Sequence, residues 1–398
     1  MSGPESRDKP PAEPPPGGVI RVMVVDDSAV IRGLFARAIE KDPEIKVVAS
    51  VGDGRMAVDT LKRHEIDVVV LDVEMPVMDG LTAVPLLIAA KPGLPIIMAS
   101  TLTRKNAEVS LRALALGAKD YVTKPSTTSE LTSAATFQQE LIAKIKALAG
   151  RRRFPRPPTP PAPVRAAPGT TTGTSMGTGA GAAHEVATPR PLRGTTVTLR
   201  AAGNEMPEVL AIGSSTGGPQ ALFSVLGNLP KGLRQPILIT QHMPATFTTI
   251  LAEHLTRVSG RQCAEAKDGE IIEAGRIYLA PGDFHMVVEG NAGKRVLRLL
   301  KTPPENFCRP AVDPMLRSMA DSYGRRVLVA ILTGMGYDGQ KGAERIVQVG
   351  VTVIAQDEAS SVVWGMPGAV ALAGLCSAVL PIGEIGPYLL RAAARSSA

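Results

Sequence analysis

Between Arg151 and Glu205 the chain turns into proline, glycine, threonine and alanine, as in Pro157-Pro158-Thr159-Pro160-Pro161 and Gly169-Thr170-Thr171-Thr172-Gly173. Such a stretch holds too little apolar surface for a core and has the composition of a linker. As a coil of about 55 residues it would span roughly 40 Å on average, and its prolines would extend it further. The 398 residues are thereby cut into two units of ordinary domain size, 19–150 and 206–398. Residues 1–18 are rich in proline and charge and lack an apolar signal-peptide segment, so a disordered tail is expected there.

The linker also accounts for the charge. It carries eight arginines against two glutamates, so six of the seven net positive charges lie in it and the rest of the chain is nearly neutral. With 3% aromatic residues there is neither a basic face nor a stacking platform, which argues against nucleic-acid binding. Cys263, Cys308 and Cys376 are widely spaced and form no CxxC pair, as expected of reduced thiols in a cytoplasmic protein. Ser360 to Gly383 carries no charge, but Pro367 suits a first helical turn, Gly374 a helix end and Ala378-Val379-Leu380 a short buried strand. No element there is long enough to span a bilayer, and membrane insertion is not expected.

Both units alternate short aliphatic runs with amphipathic stretches, the pattern of α/β folds with doubly wound parallel sheets. In the first, strands are expected at Val22–Val25, Lys46–Val51, Val68–Asp72, Pro95–Ala99 and Tyr121–Thr123. Helices are expected at Val30–Glu40, Met56–Arg63, Leu81–Ala90, Ala107–Leu116 and Leu131–Leu148. The second unit begins in the same way and inserts a β-hairpin, His285–Glu289 and Arg295–Leu300 around Gly290-Asn291-Ala292-Gly293. It then resumes the alternation, giving a larger, Rossmann-like domain.

In the first unit Asp26 and Asp27 close the first strand, Asp72 the third, Ser100 the fourth and Lys124 the fifth, so all five face one rim. Clustered carboxylates repel one another unless a hard divalent cation neutralises them, and Mg²⁺ meets that need. Asp72 could then attack a phosphoryl donor and become an acyl phosphate. Lys124 would neutralise the new charge and Ser100 would donate a hydrogen bond to it.

In the second unit Gly213-Ser214-Ser215-Thr216-Gly217-Gly218 lies between the strand-like Val209–Ile212 and a helix-like stretch from Gln220. A serine on so sharp a turn is lifted above the sheet, where a base can reach it and backbone N–H groups can hold an oxyanion. His242 follows the aliphatic run Pro236–Gln241, and Asp338 lies in a glycine-rich loop after Val327–Leu332. The carboxyl ends of neighbouring parallel strands converge on one crevice, so these three residues would meet. Two alternatives stay open: the glycines could cradle a phosphate at a helix N-terminus, making this a nucleotide-binding module, and His285 is a rival base.

The first unit resembles the receiver domain of bacterial response regulators in Val24-Val25-Asp26-Asp27-Ser28, Leu71-Asp72-Val73-Glu74-Met75-Pro76 with Met78-Asp79-Gly80, and Thr123-Lys124-Pro125. That resemblance implies that Asp72 is phosphorylated, with a histidine kinase as phosphoryl donor. It also implies that Asp27, Asp72 and the Glu74 carbonyl hold Mg²⁺ beside Asp26, and that the Lys124-Pro125 bond is cis. The second unit resembles chemotaxis protein-glutamate methylesterases in Ala211–Gly218, Gln241-His242-Met243-Pro244, Ala280-Pro281-Gly282-Asp283 with His285-Met286, Leu332–Gly336 with Asp338-Gly339, and Gly365-Met366-Pro367. It implies Ser215 as nucleophile, His242 as base, Asp338 as its orienting residue and the Met335 N–H as an oxyanion donor, with no cofactor. The implied reaction is hydrolysis of γ-glutamyl methyl esters, and deamidation of glutamines, on cytoplasmic parts of methylated chemoreceptors. Phosphorylation of the receiver would release a covered cleft.

Overall fold

The computed structural model describes residues 18–124, 131–153 and 197–394; the tail, most of the linker and the Lys124-Pro125 bond lie outside the described residues. The first domain runs β1 (Ile20–Val25), α1 (Ala29–Ile39), β2 (Ile45–Val51), α2 (Gly54–Leu61), β3 (Val68–Asp72), α3 (Gly80–Ala90), β4 (Ile96–Ser100), α4 (Arg104–Ala115), β5 (Asp120–Thr123) and α5 (Leu131–Arg153). Its strands are parallel in the order β2-β1-β3-β4-β5. Covered on both faces, a central strand has no polar side to present, so Val68–Leu71 are all fully buried. The helix starts were written locally. Ser28, Asp53, Asp79 and Thr103 each accept a hydrogen bond from the backbone N–H three residues on, opening α1, α2, α3 and α4.

The second domain contains β6 (Val209–Ser214), α6 (Gly218–Gly227), β7 (Ile237–Gln241), α7 (Ala245–Ser259), β8 (Cys263–Glu265), β9 (Ile277–Leu279), β10 (His285–Asn291) and β11 (Lys294–Leu300). It continues with α8 (Val312–Tyr323), β12 (Val327–Ile331), α9 (Gln340–Gln348), β13 (Thr352–Gln356), α10 (Met366–Leu372), β14 (Ala378–Leu380) and α11 (Ile382–Ala393). Seven parallel strands lie in the order β14-β13-β12-β6-β7-β9-β8, and β10 with β11 forms the antiparallel hairpin. The chain winds outward from β6 through β7 and returns across the sheet to β12. The winding therefore reverses between β6 and β12, and the crevice at that switch point is where an open α/β sheet binds its ligand.

The uncharged run near the C-terminus divides into the expected elements: Pro367 stands in the first turn of α10, Gly374 has φ +69 and β14 pairs with β13, but as an edge strand β14 is half-buried and not buried as expected. Among the described residues no helix is long and apolar enough to cross a membrane. Residues 197–205, within the stretch of linker composition, lie along the second domain. The Arg200 N–H donates to the Cys376 carbonyl (2.9 Å) and the Gly203 N–H to Thr352 Oγ1 (2.8 Å).

The two domains touch through α4, β5 and the turn between them. Tyr121 of β5 stacks on Phe247 of α7, ring centroids 4.3 Å apart and 10° from parallel. The Thr216 hydroxyl donates to Asp120 Oδ2 (2.8 Å), and the Gln220 amide donates to the carbonyl of Ala118 (2.6 Å). At the exposed margin Arg104 pairs with Glu253 at 2.7 Å.

Candidate active site

Register brings the second-domain residues together. Ser214 is paired with Gln241 across β6 and β7, so Ser215 and His242 leave two adjacent strands side by side, and the His242 N–H extends the ladder to the Ser214 carbonyl (3.1 Å). On the other flank Ile331 of β12 pairs with Gly213, which delivers the loop carrying Asp338. The elbow is locked by Gln241, whose side chain accepts from Ser214 Oγ (2.6 Å) and donates to the Ser215 carbonyl (2.9 Å). Gly217 has φ +76, and a Cβ there would strike Val362; one on Gly218 would strike the Gln241 side chain. Glycine is required at both positions by backbone angle or by close approach.

His242 Nε2 lies 2.7 Å from Asp338 Oδ2. Because a carboxylate only accepts, Nε2 carries the proton and Nδ1 holds the lone pair of the neutral ring. Asp338 is almost wholly buried, yet it accepts from the N–H groups of Val312 (2.6 Å), Asp313 (3.1 Å) and Gly339 (2.9 Å) and from the Asn306 amide (2.9 Å). Burial alone would raise its pKa; His242 and the backbone donors at the start of α8 overcome this and hold it below the usual carboxylate range. Asp313, fully buried behind it, moves the other way, raised by burial and then by the Asp338 charge. For His242 burial works against protonation, but the Cys308 sulfur and Asp338 outweigh it and the imidazole is pushed up to about 10.

Ser215 Oγ makes no hydrogen bond among the described residues, and His242 Nδ1 instead faces Cys308 Sγ at 3.3 Å. Ser215 and His242 leave adjacent strands, but the ring nitrogen not held by Asp338 is turned to Cys308 in this arrangement and not to Ser215. The Met335 N–H, next to the close approach of Gly334 to Ser215, has no hydrogen-bond acceptor among the described residues. His285 is removed as a rival base. It is fully buried, its Nδ1 accepts the Ala311 N–H (3.1 Å), and its Nε2 faces the Pro303 carbonyl (3.1 Å), so both nitrogens are spent on the loop leading into α8.

Besides Asp313, two residues of the site escaped the sequence reading. Asn306 bridges Asp313 Oδ2 and Asp338 Oδ1 (both 2.9 Å), and Cys308 lies on the base. Both belong to one tight turn in which Glu305 and Cys308 exchange backbone hydrogen bonds and Asn306 and Phe307 take positive φ. The signal that could have found it is the Glu-Asn-Phe-Cys-Arg-Pro run, since asparagine tolerates left-handed backbone.

At the rim of the first domain Asp26, Asp27 and Asp72 present carboxylate oxygens within 4.8 Å of one another. Lys124 Nζ reaches Asp26 Oδ2 (2.6 Å) and Asp72 Oδ1 (2.7 Å). Burial raises the Asp72 carboxyl, with Lys124 pulling it back. The three hard oxygen donors fit a divalent cation. The Glu74 side chain turns away to Lys105 (2.6 Å), leaving only its backbone for a ligand role. Ser100 is buried and its hydroxyl donates to the Thr101 carbonyl (3.1 Å), so it must rotate to face Asp72.

Residues 22–136 match the family model described as response regulator receiver domain, and 210–389 the one described as CheB methylesterase. A protein of Rhodospirillum centenum named protein-glutamate methylesterase/protein-glutamine glutaminase of group 2 operon is 60% identical over 393 residues, covering 96% of this chain and 97% of that one. A protein-glutamate methylesterase/protein-glutamine glutaminase of Azospirillum brasilense is 58% identical over 390 residues, covering 96% and 94%. Among solved structures, the Thermotoga maritima CheB methylesterase catalytic domain matches at 43% identity over 46% of this chain and 98% of that one, with a TM-score of 0.46. With such identity along nearly its whole length, and a receiver domain followed by a methylesterase domain, the chain belongs to the family of protein-glutamate methylesterase/protein-glutamine glutaminases.

Proposed function

We propose that this chain is a receiver-gated serine esterase that hydrolyses γ-glutamyl methyl esters, and deamidates glutamines, on the cytoplasmic helices of chemoreceptors. The observation that carries the reading is the 2.7 Å pair of buried Asp338 and His242, set on the loop after the strand adjoining that of Ser215. Asp338 fixes the tautomer, so Nδ1 takes the Ser215 proton as Oγ attacks the ester carbonyl. The tetrahedral oxyanion falls to the Met335 N–H. Methanol leaves with the proton from Nδ1, and water, deprotonated by the same nitrogen, hydrolyses the glutamyl-enzyme. With a glutamine side chain the leaving group is ammonia. The names of the relatives support this substrate class.

In the receiver, Asp72 is the phosphoryl acceptor and a histidine kinase the donor; Asp26, Asp27, Asp72 and the Glu74 carbonyl would hold Mg²⁺, which when bound neutralises the acidic cluster against the incoming phosphoryl group. Lys124 and, after rotation, Ser100 would hold the transferred group. This places the protein's work in the cytoplasm, beside the receptor helices. The test is methanol release from methylated receptor with and without a small phosphodonor. Ser215→Ala should lose roughly three orders of magnitude or more, and release at an undiminished rate would overturn the assignment. Asp72→Ala should keep basal release and lose stimulation by the phosphodonor.

A further inference from the structure

The imidazole of His242 has two nitrogens and three claimants. Nε2 is committed to Asp338 at 2.7 Å, which leaves Nδ1 as the nitrogen that can accept a proton from Ser215. Nδ1 lies 3.3 Å from Cys308 Sγ, a normal distance for a sulfur hydrogen bond, while Ser215 Oγ has no partner among the described residues. The contact is built in. Glu305 and Cys308 close their turn with two backbone hydrogen bonds (3.1 and 2.8 Å), and Asn306 of the same turn is tied to Asp338 and Asp313. One four-residue turn therefore grips both the orienting carboxylate and the base. Cys308 is only partly buried, unlike Cys263 and Cys376, whose thiols burial pushes up to about 12 and leaves inert.

We propose that Cys308 is a positioning residue that occupies the base nitrogen of His242 in the resting enzyme, so that ester hydrolysis proceeds only when the thiol yields Nδ1 to Ser215. This rests on the esterase reading of Ser215 and His242. Two consequences follow. The contact occupies the lone pair that would take the Ser215 proton, and the sulfur beside the ring helps hold His242 in its protonated form, which cannot act as base. Removing the sulfur should therefore make the neutral ring available at lower pH. The charged groups otherwise about the ring are Asp338 and, behind it, Asp313 and Arg317, all left in place by a Cys308 substitution. The sulfur is also a nucleophile: with iodoacetamide the C–I bond breaks, the S–C bond forms, iodide leaves and the thiol proton passes to Nδ1 and from there to solvent. The carboxamide arm then stands beside the base.

The experiment uses the full chain and methanol release from methylated receptor. In Cys308→Ala, the rise of kcat/KM with pH should move to lower pH by on the order of one unit. Iodoacetamide should inactivate the unsubstituted protein, with the added mass on Cys308, and leave Cys308→Ala active. Cys308→Ser, which keeps the volume but not the acidity, should give the same pH shift and guards against a folding defect in the alanine variant. Superimposable pH profiles, or full alkylation of Cys308 with an unchanged rate, would sink the proposal. Ser215→Ala separates the two ideas. Release that survives in Ser215→Ala brings down the esterase reading itself, whereas its loss together with superimposable profiles brings down the role of Cys308 alone.

Discussion

Asp338 gathers one imidazole, one amide and three backbone N–H groups around a buried carboxylate, so its charge is provided for before any substrate arrives. Asp338→Asn keeps the shape but offers an amide where the ring needs an acceptor, which allows the wrong tautomer. The expected loss in kcat is roughly three to four orders of magnitude, read in steady-state methanol release; a loss under tenfold would contradict the role given to Asp338. Protonation of His242 carries an opposite pair of consequences. Its pKa is raised from 6.5 to about 10, so the stability it contributes is complete below 6.5 and declines as pH rises towards 10. Activity needs the neutral ring and should climb across that same interval. Thermal melts at pH 7 and 9.5 should show a drop in Tm that is smaller in His242→Gln. Ser215, His242 and Asp338 were legible in the sequence because each follows a strand. Asn306, Cys308 and Asp313 were not, because they enter from a tight turn and a helix start, and no strand-to-helix pattern announces where such a segment will be folded back.

Elements were legible to within a few residues wherever burial on both faces left an unbroken aliphatic run, and the hairpin was found from its glycines and asparagine. What periodicity misses is a polar residue at a strand edge that belongs to another domain. Asp120 opens β5 and is nearly buried because it accepts from Thr216 and lies 3.3 Å from the ammonium of Lys144; read alone, it is an ordinary loop aspartate. The elbow between β6 and α6 allows the phosphate-cradle alternative to be tested at this scale. Gly217→Ala adds a Cβ against Val362 at a backbone angle that L-residues avoid. It should destabilise the second domain by about 2 kcal/mol or more, seen as an earlier urea midpoint, whereas Ser215→Ala should leave that midpoint nearly unchanged while abolishing activity. A cradle would show the reverse dependence of function on the two positions. A converse case is Val77, β-branched, exposed and held at φ +65 between β3 and α3. Val77→Gly removes that strain and should raise stability by about 1 kcal/mol; an unchanged or lower urea midpoint would refute it.

In the whole molecule, the receiver strand β5, which leads into Lys124, begins at Asp120, whose carboxylate accepts from Thr216, the residue after Ser215. A change in the pose of β5 is thus delivered one residue from Ser215 without a long relay. Docking includes Tyr121 against Phe247, a stack worth about 0.5–1.5 kcal/mol beyond the area it buries, beside the hydrogen bonds of Thr216 and Gln220. A ligand or phosphoryl group can shift the docking equilibrium only by the difference it makes between docked and undocked states. The exposed Arg104–Glu253 pair at 2.7 Å allows that balance to be moved without disturbing either core. Arg104→Glu opposes two carboxylates across the margin and should raise basal methanol release about two- to five-fold at low salt, with a matching fall in the stimulation a phosphodonor can add. Screening should erase the effect near 1 M salt, where the Debye length is about 3 Å. Adding Glu253→Arg restores an opposite pair in reversed order and should return basal release to its starting level. If the single substitution leaves basal release unchanged, or the double substitution fails to reverse it, the α4 to α7 contact is not what holds the esterase in check.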